Sequence, residues 1–233
     1  MGRTFTNEAR RAQIMRAAID TIAEVGYAKA SFARITEKAG LSGPRMISYH
    51  FADKDELIHE ILLHVFTAGA VFINERVEAE DTATGKVRAY LEANLQFLRE
   101  HPNDMAALTE IGPHLRTATG RPYTSVSAQE VSVQSLEKLL AQGQASGEFR
   151  DFDLRSMAVL IRGALDGAAR RLRDEADFDF DAYTAEVVTT FTLAEAGEAA
   201  QRRPDRDARA STGCAPRAWT SCSPSSPARP SRS

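Results

Sequence analysis

Residues 31–54 read SFARITEKAGLSGPRMISYHFADK, two short helical patterns on either side of a break at Ala39-Gly40-Leu41-Ser42. Ser31 suits an N-cap, because its hydroxyl can accept a backbone N–H of the first turn. Phe32, Ile35 and Ala39 follow three and four apart, which sets them on one helix face. Gly40 stands where a helix ends and the backbone needs a positive φ. Leu41 can plug the turn. A second helix is expected from Ser42 or Gly43, with Pro44 in its first turn, where a missing N–H does no harm. Ile47 and Phe51, four apart, are its inward residues. Helix, Gly-containing turn, helix is the layout of a helix-turn-helix, whose second helix lies in a DNA major groove.

Upstream, Thr6 or Asn7 is a candidate cap for a first helix, and Glu8 suits its positive end. Ile14, Ala18, Ile22 and Val25 recur every three or four residues, and Gly26 closes the helix. The first five residues are expected as an arm, in which Arg3 is a candidate for a phosphate or the minor groove, the alternative being a frayed terminus. Residues 7–51 thus form a three-helix unit. Residues 7–56 resemble the DNA-binding domain of the TetR family of bacterial transcriptional regulators. The resemblance is carried by the Ile/Ala face of the first helix, Gly26-Tyr27, the Ser31, Ile35 and Ala39-Gly40-Leu41-Ser42 core, Ile47-Ser48-Tyr49-His50-Phe51, and Asp53-Lys54-Asp55-Glu56-Leu57. It implies an all-α homodimer with a small N-terminal DNA-binding domain and a larger C-terminal effector domain. Most members of this family are repressors that leave a palindromic operator when a small molecule binds. From Ser42 to Phe51 the chain is one residue longer than the commoner family spacing, most simply within Gly43-Pro44-Arg45.

The candidate DNA-contacting set is Arg3, Ser31, Ser42, Gly43, Pro44, Arg45, Met46, Ser48, Tyr49, His50 and Lys54. Arg45 is the best base reader, since a guanidinium forks onto guanine O6 and N7. Gly43 and Pro44 allow close approach, and Met46 can touch a thymine methyl. By resemblance to the family, Ser48, Tyr49 and His50 face the DNA backbone and Lys54 binds phosphate. The competing reading of Tyr49 and His50 is core packing.

Charge is unevenly spread: residues 1–55 carry a net +3, residues 56–200 a net −11 and residues 201–233 a net +5. A basic front end on an acidic body fits a DNA-contacting module joined to a part that avoids DNA. No run of 18 apolar residues and no signal-peptide core occur, so a cytoplasmic protein without membrane contact is the expectation. Cys214 and Cys222 are too few for a disulfide framework or zinc site.

Beyond residue 52 the pattern is helical throughout. Helices are expected from about Asp53 to Glu78, around Val87 to Leu98, around Met105 to Ile111, from Ser125 to Gly143, from Asp153 to Ala176 and from Tyr183 to Gly197. Glu80–Gly85 and Thr117–Thr124 read as loops. The expected organisation is all-α with about nine helices: residues 1–52 bind DNA, 53–200 form an effector and dimerisation bundle, and 201–233 form a disordered Arg/Ser/Pro-rich tail. An apolar effector pocket is expected among Phe66, Tyr90, Asn94, Phe97, Met105, Leu108, Gln134, Met157 and Arg162. A dimer seam is expected at Leu160, Gly163, Ala164, Gly167, Ala168, Val187, Val188 and Phe191, where a two-fold axis would set the recognition helices roughly 34 Å apart.

Two other functions compete. A helical-bundle metalloenzyme would use Glu56-Leu57-Ile58-His59 as a Glu-x-x-His motif, but a di-iron bundle needs a second one. Glu110 and His114 are one residue too far apart. An architectural DNA binder without effector is the other rival. No cofactor, metal or enzymatic activity is expected.

Overall fold

Nine α-helices and two single 3₁₀ turns make up the described residues, with no β-strand among them. The computed structural model describes the backbone of residues 2–116 and 125–195, and the side chains of residues 7–116 and 129–194. The helices are α1 (Gly2–Val25), α2 (Phe32–Lys38), α3 (Arg45–His50), α4 (Lys54–Glu78), α5 (Ala83–Glu100), α6 (Pro102–Ile111), α7 (Ser125–Ala145), α8 (Leu154–Asp174) and α9 (Phe180–Glu195). The expected 117–124 loop and the 201–233 tail lie outside the described residues.

Side-chain capping sets most helix starts. The Ser31 hydroxyl accepts from Arg34 N at 3.4 Å, the Asp53 carboxylate from Glu56 N at 2.8 Å, and the Asp153 carboxylate from Ser156 N at 2.7 Å. Each satisfies a donor that the first turn leaves without an intrahelical partner. Thr82 caps Gly85 N at 3.0 Å, so α5 begins before Gly85, which the sequence placed in a loop. Asp179 accepts from Ala182 N at 2.9 Å, and α9 accordingly starts at Phe180 rather than Tyr183. The Glu148 carboxylate takes the N–H groups of Ala83 and Thr84, both at 3.0 Å, and this pins the α7–α8 turn to the start of α5. Those bonds hold the Glu148 carboxyl below its ordinary value. Helix α1 runs back to Gly2, so Thr6 and Asn7 lie inside it rather than at its start.

Two hydrophobic cores organise the chain. The first is built on Ile14, Ile22, Ile35, Ile47 and Phe51, each at most 1% exposed. It is not confined to residues 1–52, because Leu57, Ile61 and Val65 of α4 and Ala107 and Ile111 of α6 complete it. The second packs α5, α7, α8 and α9 around Leu91, Leu95, Leu136, Leu140, Ile161 and Leu165. Helices α4 and α6, although they lie beyond residue 52, therefore belong to the first core. By length and composition α4 is apolar enough to cross a membrane, with a mean hydropathy of 1.6 over 18 residues. Its sequence holds no unbroken apolar run of 18 residues, and its inner face, Leu57, Ile58, Ile61 and Val65, is buried in the first core.

A polar bridge joins α1 to α6. Arg16 Nη1 of α1 donates to Asp104 Oδ1 of α6 at 2.8 Å, and Asp104 is 4% exposed. His101 Nδ1 lies 3.1 Å from the other carboxylate oxygen, and its ring stacks on Phe97 of α5 with centroids 4.2 Å apart.

Candidate DNA-binding face and ligand cavities

Helices α2 and α3 meet at the turn the sequence marked. Gly40 has φ +65°, a conformation in which a side chain costs roughly 1–2 kcal/mol. Leu41 N donates to the Thr36 carbonyl at 3.0 Å, closing the turn, and its side chain is half-buried against the first core. Helix α3 starts at Arg45, later than expected. Met46 N bonds to Gly43 O, and Ile47 N to Pro44 O, each at 3.0 Å, so Gly43 and Pro44 supply the carbonyls of a tight first turn. Ser42 is exposed before it and does not cap it.

On α3, Ile47 and the following Phe51 point inward at 0% and 1% exposed. The opposite side presents Arg45, Ser48 and Tyr49 to solvent, and Tyr49 is 79% exposed. That exposure rules out core packing for Tyr49. Neither Arg45 nor Ser48 makes a side-chain hydrogen bond or ion pair among the described residues, so both keep their full donor sets. Met46 and His50 are half-buried, and the His50 ring meets Tyr49 edge-on at 5.1 Å. Burial and the Arg11 and Arg10 guanidinium groups hold His50 below its ordinary 6.5. Ser31 is exposed as the α2 cap, while the side chain of Arg3 lies outside the described ones.

Lys54 has an internal partner. Its Nζ donates to the Tyr27 carbonyl at 2.8 Å and lies 3.9 Å from the centroid of the Tyr27 ring. Desolvation lowers its pKa. The Tyr27 ring also stacks on His114, just beyond α6, with centroids 4.3 Å apart. Arg11 of α1 braces the recognition helix. Arg11 Nη1 donates to the His50 carbonyl, its guanidinium covers the Phe51 ring at 4.3 Å, and it lies 3.8 Å from Glu56 and 3.5 Å from Glu60. An Arg at the C-terminal carbonyls of a helix is favourably placed. Only the basic residue itself was visible in the sequence, because its partners lie 39 to 49 positions away.

Glu56, the carboxylate of the Glu-x-x-His motif, accepts Ala52 N at 2.6 Å while its own N–H bonds to Asp53. That reciprocal bonding locks the corner between α3 and α4, much as a capping box does. Among the described residues no three His, Cys, Asp or Glu side chains gather as a metal-binding group.

The nine expected pocket residues do not line one cavity. Tyr90, Asn94 and Arg162 converge: Arg162 Nη1 reaches Tyr90 Oη at 3.4 Å and Asn94 Oδ1 at 3.2 Å, and Nη2 pairs with Asp166 at 2.9 Å. They form a polar clip between α5 and α8. Phe66 is 57% exposed, Gln134 lies on the surface, and Met157 is buried in the second core. Phe97 borders an open groove of about 650 Å³ between α1, α4 and α5, where Met15, His64, Phe72 and His101 join it. Met105 and Leu108 line a separate cavity of about 340 Å³ between α1, α6 and α8. Met157 packs with Leu91, Leu136, Leu140 and Ile161 in the second core.

The expected dimer residues also divide. Ala168 is 0% exposed, and Val187 and Val188 are 7% exposed, so all three turn into the monomer. Phe191 is half-buried against the same core. The Ala164 carbonyl accepts from Tyr183 Oη at 2.7 Å, and a Cβ on Gly167 would lie 3.1 Å from that oxygen. Gly167, four residues after Gly163, thus serves α8–α9 packing. Gly163 and Leu160 face outward, with Leu160 61% exposed and the adjacent Val159 48% exposed, while Leu193 on α9 is 66% exposed.

The arrangement is a braced recognition helix with free polar side chains, attached to a helical bundle. Comparisons with known proteins agree with it. Residues 14–61 match the family model described as "Bacterial regulatory proteins, tetR family". The chain is 33% identical over 183 residues to the HTH-type transcriptional regulator BetI of Ectopseudomonas mendocina (strain ymp), an alignment covering 69% of this chain and 84% of that protein. It is 31% identical over 131 residues to the HTH-type transcriptional regulator BetI 1 of Chromohalobacter salexigens, covering 56% of this chain and 58% of that one. Among solved structures, AibR in complex with isovaleryl coenzyme A and operator DNA superposes with a TM-score of 0.65 at 17% identity, over 78% of this chain and 97% of AibR. This chain belongs to the TetR family of bacterial transcriptional regulators.

Proposed function

We propose that this regulator is a cytoplasmic homodimeric repressor that binds a palindromic operator through α3 and leaves it when a small molecule binds the helical domain. The observation that carries the reading is the outward side of α3. Arg45, Ser48 and Tyr49 stand in solvent while Ile47, Phe51 and Arg11 fix the helix behind them. A rigid element with unspent donors is what base readout requires. Arg45 reads a base, while Ser48, Tyr49 and His50 line the groove walls. Lys54 contacts phosphate with the donors that Tyr27 leaves over.

Ligand response is supported by α4 and α6, which lie beyond residue 52 yet complete the core that holds α3, and by the Arg16–Asp104 bridge. AibR, whose fold is similar, is a structure with both an acyl-coenzyme A and operator DNA bound. Dimerisation is supported by the outward Val159, Leu160 and Gly163 strip on α8. Selection of bound duplexes from a random pool, followed by sedimentation of the complex, tests the reading. The expected result is one enriched inverted repeat bound by two chains. An unenriched pool, or a single chain per duplex, would sink it.

A further inference from the structure

Helix α3 is six residues long, under two turns, and a helix that short does not hold its own position. Burial of Ile47 and Phe51 fixes which side faces inward, but the pitch of the N-terminal end depends on the turn before it. No side chain caps the first turn of α3. The glycines of the turn are open: among the described residues, a Cβ on Gly40 or Gly43 would meet nothing within 4 Å beyond its chain neighbours. Hydrogen bonds define this end instead. Gly40 N donates to Glu37 O at 3.1 Å and Leu41 N to Thr36 O at 3.0 Å, which closes the turn upon itself. A third bond ties it to α1. Gln13 Nε2 donates to the Ala39 carbonyl at 2.8 Å, one of the carbonyls that the end of α2 leaves without an intrahelical partner. Arg10 Nη1 donates to Gln13 Oε1 at 2.7 Å, which fixes the amide with its N–H group toward Ala39.

We infer that Gln13, held by Arg10, is a positioning residue for base readout: it sets where α3 begins, and so how Arg45 meets its base pair, acting through Arg45 rather than by a base contact of its own. The inference rests on the regulator reading given above. Arg45 is the first residue of α3, and only Gly40 to Pro44 separate it from the anchored Ala39 carbonyl. A guanidinium fork on guanine O6 and N7 tolerates little displacement, because two N–H groups must meet two acceptors at once. Without the Gln13 bond the turn is free on its α1 side, while Leu41, Ile47 and Phe51 still hold the motif together. The N-terminal end of α3 can then tilt, and the fork is lost before the contacts farther along the helix. Arg11 and Gln13 lie two positions apart on α1, one holding the last carbonyl of α3 and the other the end of α2. Helix α1 thereby clamps both helices of the motif, and a determinant of sequence preference sits in a helix that reads no base.

Gln13→Met keeps the length of the side chain and removes both hydrogen-bonding groups with no change of charge. The full chain and its Gln13→Met, Arg45→Ala and doubly substituted forms are titrated with the selected duplex and with a set in which one base pair at a time is replaced. The pair at which Arg45→Ala relaxes preference is the reading position. The expected result is that Gln13→Met reduces discrimination at that pair about fivefold, the worth of one neutral hydrogen bond, and leaves the other pairs and the salt slope as they were. In the Arg45→Ala background it should change nothing further, the non-additivity of two residues that act as one unit. A merely structural role would weaken every duplex alike in both backgrounds, and that outcome overturns the inference. So does unchanged discrimination in Gln13→Met, a loss that persists without Arg45, or an Arg45→Ala protein that keeps its full preference. Gln13 is exposed, so the variant should fold. Thermal melting checks this, and Gln13→Ala, which installs the strongest helix former, repeats the test if it does not. A chain that selects no duplex overturns the regulator reading and the inference with it, whereas one that selects a duplex and fails the cycle overturns the inference alone.

Discussion

Arg16 and Asp104 meet at 2.8 Å across the boundary between α1 and α6, and the carboxylate they share with His101 is almost wholly removed from solvent. Arg16→Ala leaves that carboxylate with His101 alone. Because the arginine is half exposed, solvent already screens part of the interaction. The expected loss is about 1–2 kcal/mol, at the low end for a hydrogen bond to a charged group. Urea unfolding measures it, and an unchanged midpoint would show the bridge to be energetically idle.

Tyr49→Ala separates folding from binding. The side chain is 79% exposed, so stability should stay within about 0.5 kcal/mol, the usual range for surface positions. Affinity for the selected duplex should fall. Thermal melting beside a DNA titration gives both values, and equal affinities would remove Tyr49 from the interface.

Arg45→Ala and Lys54→Ala should differ in kind. Loss of a forked base contact costs about 1–3 kcal/mol against the preferred base and relaxes preference at that position alone. Loss of Lys54 should weaken all sequences alike and reduce the salt slope by about one. The lysine change should also lower stability, because Nζ bonds the Tyr27 carbonyl and covers its ring. Unchanged DNA affinity with lowered stability would make Lys54 an internal brace only.

His50 supplies a pH test. Burial and two arginines hold its folded value below 6.5, so the unfolded chain takes up a proton first as pH falls. Stability conferred by the neutral ring is present above pH 6.5 and is lost as pH drops from there through the folded value. His50→Gln should flatten that decline. Against DNA the sign reverses, since a nearby phosphate favours the imidazolium, and affinity should rise over the same fall in pH. Urea midpoints and DNA titrations at pH 7.5, 6.5 and 5.5 check both directions.

Leu160→Glu places a charge on the outward strip of α8, where Leu160 is 61% exposed. The monomer fold should tolerate it, while sedimentation should show dissociation. Ala168→Leu is the contrasting change. It overpacks a fully buried position, costing about 1–3 kcal/mol of stability. A Leu160→Glu protein that remains dimeric would move the interface elsewhere.

How far the chain could be read in advance depended on where the partners lie. The turn at Gly40, the Ser31 cap and the inward Ile47 and Phe51 are local, set by residues within about four positions, and all were legible. Nine helices followed from apolar spacing for the same reason. The start of α3 shifted because Pro44 and Gly43 contribute carbonyls to a tight first turn, a backbone effect that periodicity does not carry. The pocket and seam assignments rested on faces. A helix such as α8 has one face for its own bundle and another for a partner, and apolar spacing cannot say which is which. Ala168 went to the first and Leu160 to the second. Met105 and Leu108 were chosen as cavity residues and line one, but with α1 as the opposing wall, a relationship between residues some eighty positions apart.

Only Phe51, Ala52 and Asp53 separate α3 from α4, and Arg11, Glu56 and the Asp53 cap lock that corner from three directions. The two helices therefore turn together, as a crank and its handle. With 25 residues α4 is about 37 Å long, so a tilt of about ten degrees at one end sweeps the other through about 6 Å. Gearing of that kind separates the chemistry of sensing from the chemistry of reading. Residues around a ligand can drift to suit a new molecule while the reading head, and the promoters it serves, stay as they were.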